Sequence, residues 1–186
     1  DPAAPRLILA STSAYRRELL ARLRVPFEAV APGCAEQRLA HEPAQALALR
    51  LAQLKAETVA ARHPGCVVIG SDQVAVRGAE ILGKPGSVER CAEQLRASAG
   101  HEVIFLTAVH VVDGRNDGAE SHLDRTVVRF RALGADEIQR YIAADAPLDC
   151  AGGFKAESLG IGLFDRIDSS DPTALTGLPL IWVSAA

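Results

Sequence analysis

The sequence lacks any apolar run long enough to cross a bilayer, and it shows no signal peptide, so no membrane association is expected. It also contains no methionine and opens on Asp1-Pro2, so we expect the native start to lie further upstream. Aromatic residues make up only 4% of the chain. The core is therefore predicted to consist of leucine, valine, isoleucine and alanine.

Cysteines with the spacing of a metal site are absent as well. The chain is long enough to fold without disulfides, so we expect reduced thiols and a cytoplasmic protein. The formal net charge of −3 argues against a general nucleic-acid binder, although a local group of cations can still hold a small anion. The cysteines lie far apart, at Cys34, Cys66, Cys91 and Cys150.

Strand and helix patterns alternate along the chain without repeats, low-complexity tracts or linkers. The length and the missing boundary predict one domain over residues 1–186. The order of the patterns predicts an α/β fold with a mixed sheet flanked by helices. We expect strands over 6–10, 25–31, 67–75, 80–82, 103–112, 123–130 and 161–167, helices over 14–24, 43–62, 88–99 and 136–144, and a final turn or helix from 169–172.

The stretch 67–75 carries the clearest polar signal. A β-branched apolar run typical of an interior strand leads directly into Ser71, Asp72 and Gln73. A carboxylate inside a hydrophobic strand is unfavourable unless it is paired. Asp72 is therefore a candidate general base or metal ligand, whereas a nearby helix N-terminus or an arginine partner would explain it without a function.

A second polar group precedes and opens the first helix. Ser13 is the expected N-cap, and Arg16-Arg17 follows in the first turn. Cations at this end oppose the helix dipole. Their placement favours an anion site built from backbone N–H groups, the Ser11 and Ser13 hydroxyls and the two guanidinium groups. The alternative is a pair of solvated arginines on a polar face.

Three further residues indicate a function only in combination. Glu36 lies in a polar loop, Lys55 lies on a helix, and Lys84 lies in the tight bend Gly-Lys-Pro at 83–85. Each of them alone is typical of a surface or a turn. His110 is expected to be a satisfied edge histidine, because no second histidine stands at metal-ligand spacing.

The segment 149–157 is the last unusual stretch. Two adjacent glycines, Gly152 and Gly153, allow a close approach of the backbone to a ligand. Lys155 and Glu157 follow them and supply one cation and one carboxylate. The sequence contains no Walker phosphate-binding loop and no nucleophile motif of the Asp-x-Asp or Cys-x5-Arg type.

The pieces occur in a fixed order: Leu-Ile-Leu-Ala-Ser-Thr-Ser-x-x-Arg-Arg at 7–17, Glu36, Lys55, Gly-Ser-Asp-Gln at 70–73, Gly-Lys-Pro at 83–85 and Cys-Ala-Gly-Gly-Phe-Lys-x-Glu at 150–157. This ordered set resembles the Maf family of nucleoside triphosphate pyrophosphatases over nearly the whole chain. Ser-Asp-Gln together with Phe-Lys-x-Glu is similar to the YceF-type branch, whose implied substrate is 7-methyl-GTP.

The resemblance implies a Maf/ITPase-like mixed twisted sheet with two lobes around a central cleft, and it suggests a homodimer. It also implies hydrolysis of the α–β phosphoanhydride bond of 7-methyl-GTP to 7-methyl-GMP and diphosphate, with Mg²⁺ or Mn²⁺ as the cofactor. Asp72 would be the catalytic acid and would bind the metal together with Glu36. The residues that would meet phosphate oxygens are Ser11, Ser13, Arg16, Arg17, Lys55 and Lys84.

Base recognition is implied for three residues. A 7-methylguanine ring is cationic and stacks well on an electron-rich aromatic face, which Tyr15 can offer, although packing of Tyr15 on Leu19 explains its position equally well. Glu157 can accept hydrogen bonds from the guanine edge, and Gln73 is the third matching position. Lys155 is a further candidate.

Alternative functions stay open at this point. A nucleotide-binding regulatory protein with weak catalysis draws support from Ala35, which stands where the family usually has an acidic residue before the glutamate. A pyrophosphatase that prefers dTTP or UTP would carry a different residue after its aspartate. A phosphatase of phosphorylated metabolites lacks a nucleophile motif.

Overall fold

Within residues 5–186, which the computed structural model describes, seven strands form one mixed sheet. The strands are β1 (Leu7–Ala10), β2 (Phe27–Ala29), β3 (Val67–Arg77), β4 (Glu80–Leu82), β5 (Glu102–Asp113), β6 (Gly118–Phe130) and β7 (Phe164–Asp168). Their order is β2-β1-β3-β5-β6-β7, and β4 pairs with β3. β1 runs parallel to both β2 and β3, whereas β3–β4 and β6–β7 are antiparallel.

The helices confirm the predicted α/β class. They are α1 (Ala14–Ala21), α2 (Ala44–Ala60), α3 (Val88–Ser98), α4 (Ala135–Asp145) and α5 (Leu180–Val183), with short 3-10 helices at Leu159–Leu163 and Ala174–Thr176. In the described part of the chain, no helix combines the length and the apolar character needed to span a membrane.

The chain divides into two compact units, in agreement with the two predicted lobes. The first contains the described residues up to Asp72 together with Thr107–Asp124 and Asp171–Ala186. The second contains Gln73–Leu106 and Arg125–Ser170. One domain over residues 1–186 stays a prediction.

In the first unit, alternate side chains of β1 and β3 face different helices, because successive strand residues point to opposite faces of a sheet. On one face, residues of both strands pack with α2 in a cluster of Ile8, Ala10, Ala56, Val59, Cys66 and Val68. On the other face, they pack with α1 and the C-terminal segment in a cluster of Leu9, Leu19, Leu20, Ile69, Val109, Leu178 and Leu180.

Gly70 sets how closely α2 approaches β3. A Cβ atom at this position would lie 2.3 Å from the carbonyl oxygen of Ala52 and 2.6 Å from the backbone nitrogen of Ala56. Only a residue without a side chain leaves room for this contact. The backbone of α2 therefore packs directly on the strand that carries Asp72.

The second unit departs from the predicted aliphatic core. Phe105, Phe130, Phe154 and Phe164 are packed edge to face, with ring centroids 4.8 to 5.5 Å apart. This arrangement is favourable for aromatic quadrupoles. The prediction of a core of aliphatic residues is wrong here, because four of the five phenylalanines of the chain are concentrated in one cluster instead of being dispersed.

Several element boundaries differ from the prediction. Helix α1 ends at Ala21, whereas the prediction extended it to residue 24. Arg24 adopts a left-handed backbone conformation with φ of 55°, although no glycine in this stretch indicates such a conformation. The strand predicted over 161–167 begins as the 3-10 helix Leu159–Leu163 and becomes extended only at Phe164. Strand β6 begins at Gly118, five residues earlier than predicted.

His110 was predicted to be an edge histidine, and this is wrong. It lies on β5, an interior strand of the sheet, and is only 6% exposed. Its Nδ1 atom lies 2.6 Å from the Ser121 hydroxyl, whereas Nε2 has no hydrogen-bond partner among the described residues. Burial lowers the pKa of His110, which favours the neutral ring.

Candidate functional site

Asp72 and Lys55 form a buried ion pair in the first unit. The Lys55 ammonium lies 2.7 Å from Asp72 Oδ1, and the two residues are 5% and 7% exposed. Asp72 points to the same face of β3 as Gly70, and Lys55 lies between Ala52 and Ala56 on α2. The close contact of α2 with Gly70 therefore brings the lysine to the acid.

Glu36 completes a three-residue cluster. Its Oε2 atom lies 2.9 Å from the same Lys55 ammonium, and about half of its side chain remains exposed. The structure thus brings together both predicted metal ligands and one predicted phosphate ligand. Lys55 lies between the two carboxylates, where it neutralises part of their charge.

The surroundings of Asp72 disfavour the charged form of its carboxyl group. Burial is the largest cause and raises the pKa of this carboxyl, and Glu36 raises it further. Lys55 and Arg16 act in the opposite direction but do not cancel the effect of burial. A carboxylate with a raised pKa is a stronger base than an ordinary aspartate once it is ionised.

Arg16 lies near this cluster and is fixed by a backbone carbonyl. Its Nε atom donates to the Gly177 carbonyl at 2.9 Å. Burial lowers the pKa of Arg16, whereas Asp72 and Glu36 raise it. The guanidinium group stays charged in proteins, so it places a permanent cation near both acids.

The two serines before α1 shape the helix N-terminus. Ser13 is the N-cap as predicted, and its hydroxyl accepts from the Arg16 backbone N–H at 3.4 Å. The Ser11 hydroxyl accepts from the Ser13 N–H at 3.1 Å. Each hydroxyl keeps its own O–H to donate to an anion. Tyr15 is half-buried and Arg17 is exposed on the same helix.

Sequence reasoning missed the support behind this site. Ser71 is fully buried on the face of β3 opposite to Asp72, and its hydroxyl donates to the Gly177 carbonyl at 2.9 Å. The Gly177 carbonyl therefore accepts hydrogen bonds from both Ser71 and Arg16. The only signals in the sequence were the turn-forming residues around Pro172 and Gly177.

A buried aspartate holds the segment that presents Gly177. Asp171 accepts from the Thr173 N–H at 2.9 Å and from the Ile181 N–H at 2.7 Å. The Thr173 hydroxyl donates to the Leu178 carbonyl at 2.8 Å. These bonds fix both sides of the turn at Gly177, whose φ of 125° suits glycine.

The remaining predicted residues belong to the second unit. Gln73 follows Asp72 on β3, Lys84 is exposed after β4, and Glu157 is exposed after the glycine pair. Gly152 and Gly153 have φ of 82° and 76°, and a Cβ at Gly153 would lie 3.0 Å from Cys91 Sγ. Backbone conformation and packing on α3 thus suffice to require glycine there.

Lys155 has a partner inside its own unit. Its ammonium donates to the Asp145 carbonyl at the end of α4 at 2.8 Å, and its backbone N–H donates to the Tyr141 hydroxyl at 2.9 Å. A cation at this end of a helix interacts favourably with the unpaired carbonyls.

We expect Lys155→Met to lower the melting temperature by a few degrees, because it removes this contact and keeps the length of the side chain. Thermal unfolding measures this effect. A steep loss of substrate affinity at an unchanged melting temperature would instead place Lys155 in the substrate site.

Glu36 and Asp72 supply carboxylate oxygens, which are the hard donors that Mg²⁺ binds. The Lys55 ammonium occupies the point on which Glu36 Oε2 and Asp72 Oδ1 converge, so a metal ion would bind at other lone pairs of these carboxylates and complete its shell with water and substrate phosphates. Among the described residues, no group of three or more histidine, cysteine, aspartate or glutamate side chains could hold a metal alone.

The fold and the site define a mixed α/β protein in which an acid, a lysine and an arginine meet at one strand. The model of the family described as Maf-like protein matches residues 6–186. The chain belongs to this family.

Curated relatives named 7-methyl-GTP pyrophosphatase are similar over nearly the full chain. One from Albidiferax ferrireducens is 53% identical, with 97% of this chain and 91% of the relative covered. One from Xanthomonas campestris is 54% identical, with 97% and 93% covered, and one from Pseudomonas putida is 49% identical, with 94% and 91% covered. A solved structure titled the Staphylococcus aureus Ham1 protein is 15% identical with a TM-score of 0.49, and 83% of this chain and 89% of that chain are covered.

Proposed function

We propose that this chain is a nucleotide pyrophosphatase that hydrolyses the α–β phosphoanhydride bond of 7-methyl-GTP and thereby removes a modified nucleotide from the pool. The observation that carries the proposal is the cluster of Asp72, Lys55 and Glu36, with Arg16 nearby. The names of the relatives supply the substrate, since three of them are called 7-methyl-GTP pyrophosphatase.

Asp72 acts as the general base in this reaction. Lys55 occupies Oδ1, so the second carboxylate oxygen accepts the proton of the attacking water. The α–β bond breaks, the water oxygen remains on one product, and the bridging oxygen leaves with the other. The products are 7-methyl-GMP and diphosphate.

Cations and hydroxyls neutralise the triphosphate. Arg16 is already oriented by Gly177, and Lys55 is held between two acids, so both are ordered before substrate binds. We assign Ser11, Ser13, Arg17 and Lys84 to the same task. A bound Mg²⁺ or Mn²⁺, held by Glu36 and Asp72, would supply further charge neutralisation at the phosphates.

Base choice is assigned to Tyr15, Gln73 and Glu157. Methylation at N7 makes the guanine ring cationic, so stacking on Tyr15 and a carboxylate at Glu157 both favour the methylated base. We further propose that the protein works in the cytoplasm, because that is where the nucleotide pool is. The resemblance to the family suggests a homodimer, and we propose this assembly as well.

We expect kcat/KM to be highest for 7-methyl-GTP, lower for GTP and lowest for UTP and dTTP, because a site built around paired hydrogen bonds rejects bases that cannot form them. Steady-state assays on the four nucleotides, with diphosphate as the measured product, test this order. Glu157→Gln should reduce the preference for guanine, and Tyr15→Ala the preference for the methylated ring.

Each alternative function has its own outcome in that assay. Highest activity on UTP or dTTP would reject the 7-methyl-GTP assignment and leave the pyrophosphatase. Nucleotide binding without turnover would identify a regulatory protein, and orthophosphate as the only product would identify a phosphatase.

A further inference from the structure

Glu36 lies in a loop without regular structure, between β2 and α2. Its side chain is half exposed, yet it meets the buried Lys55 ammonium at 2.9 Å. A loop side chain that is free to move would lose entropy each time it formed this contact. The loop must therefore be held by other residues if Glu36 is to be in place before substrate binds.

A nearly buried glutamate closes the far end of this loop. Both carboxylate oxygens of Glu42 accept from Arg50 of α2, from Nε at 2.6 Å and from Nη2 at 2.8 Å. Glu42 Oε2 also accepts from the Leu39 N–H at 3.1 Å. The Glu42 carbonyl accepts from the Arg38 guanidinium at 3.1 and 2.9 Å. The segment 38–42 is thus tied onto itself and onto α2.

Arg50 also reaches the beginning of the same segment. Its Nη2 atom donates to the carbonyl of Gln37, the residue directly after Glu36, at 2.9 Å. One guanidinium group therefore binds both ends of the stretch 37–42. The strong pairing holds the pKa of Glu42 at about 2, so this carboxylate stays charged throughout the neutral range.

Lys55 and Arg50 lie on one helix, five residues and about 7.5 Å apart along its axis. The helix therefore acts as a rigid spacer between the residue that anchors the loop and the residue that receives Glu36. A bidentate arginine–carboxylate pair adds geometric definition that a lysine pair does not.

We propose that Arg50 and Glu42 are positioning residues of the hydrolytic site: they fix the 37–42 segment on α2 and so hold the Glu36 carboxylate against the Lys55 ammonium, which also binds Asp72. This inference rests on the proposed function. Supporting residues of this type commonly change metal affinity or activity about 10- to 100-fold when they are altered.

The test is a double-mutant cycle with Arg50→Lys and Glu36→Gln, assayed with 7-methyl-GTP over a Mg²⁺ titration. We expect Arg50→Lys alone to lower kcat/KM about 10- to 100-fold, mainly by raising the Mg²⁺ concentration that gives half-maximal rate. In the Glu36→Gln background the same change should have little further effect, because Arg50 acts through Glu36.

Arg115→Lys is the matched control. Arg115 forms an equivalent bidentate pair with a carboxylate, that of Asp113, at 2.8 and 2.6 Å, but it makes no bond to the loop that carries Glu36. Arg115→Lys should leave the Mg²⁺ dependence unchanged. Hydrogen exchange adds a readout without substrate: Arg50→Lys should speed exchange of the amides in 37–42 and leave α2 protected.

Equal losses from Arg50→Lys in both backgrounds, or no loss in the first, would overturn the proposal. If Arg50→Lys does not fold, Glu42→Gln replaces it in the same cycle, because it removes the charge and keeps the shape. If 7-methyl-GTP is not hydrolysed, the proposed function fails, and unchanged exchange in 37–42 would separately reject the positioning role.

Discussion

Asp72→Asn is expected to abolish nearly all turnover while the protein remains folded. The amide has the shape of the carboxylate but cannot accept the proton of water, and loss of a general base typically costs about 10²- to 10⁴-fold in rate. The loss should fall on kcat with 7-methyl-GTP under saturating Mg²⁺. Diphosphate release measures it.

The stability of the same variant should stay equal or rise. Because the pKa of Asp72 is raised in the folded protein, folding favours its protonated form. Stability from this group is present below the unfolded pKa and is lost as the pH rises through the folded pKa. At neutral pH the charged acid therefore costs stability, and a neutral asparagine removes this cost. Lys55 keeps Glu36 as its partner.

Asp113→Asn is a control for which the expected change in stability at neutral pH has the opposite sign. Arg115 holds the pKa of Asp113 at about 2, so this acid contributes stability above its unfolded pKa and loses it only as the pH falls toward 2. Its replacement should lower the melting temperature slightly at neutral pH and leave turnover intact.

A folded Asp72→Asn protein with near-normal turnover would contradict the proposed mechanism.

The central strand and its acid could be predicted because their signal is local. A β-branched run that ends in three polar residues indicates an interior strand with an unusual side chain, and β3 with Asp72 confirms this. Ser13 was likewise predicted as an N-cap, and its hydroxyl accepts from the backbone N–H of Arg16.

The support of the site could not be predicted because it is made by contacts between residues far apart in sequence. Ser71 meets Gly177 across 106 positions, and no periodicity in either segment indicates this pairing. The bonds of Glu42 with Arg50 are closer in sequence, but both residues look like ordinary surface charges. Only the packed structure shows that Glu42 is 8% exposed.

The role of Lys55 could be predicted from the sequence only in part. Its place on a helix was predicted from the sequence, and a glycine inside a strand, such as Gly70, often marks a close approach of another backbone. The sequence did not show that α2 itself makes this approach, with Ala52 and Ala56 on the glycine. Lys55 was therefore assigned to phosphate alone, without its place between the two acids.

Gly70→Ala is expected to destabilise the protein strongly and to damage the site. The added Cβ would lie 2.3 Å from the Ala52 carbonyl oxygen and 2.6 Å from the Ala56 nitrogen, both of them backbone atoms of a long helix. Overpacking typically costs about 1–3 kcal/mol, and here no flexible side chain can yield, so we expect about 3 kcal/mol or more. For a chain of this size, that lowers the melting temperature by roughly 6 to 12 °C.

Gly162→Ala is the matched control, because a Cβ there meets nothing within 4 Å and the backbone needs no positive φ. The Gly70→Ala protein that remains folded at low temperature should also lose kcat, since any shift of α2 moves Lys55 away from Asp72, which it now meets at 2.7 Å. Thermal unfolding and diphosphate release, measured on both variants, test the two effects together. If Gly70→Ala matched Gly162→Ala in both measurements, α2 could move without consequence, and the contact at Gly70 would not be what brings the lysine to the acid.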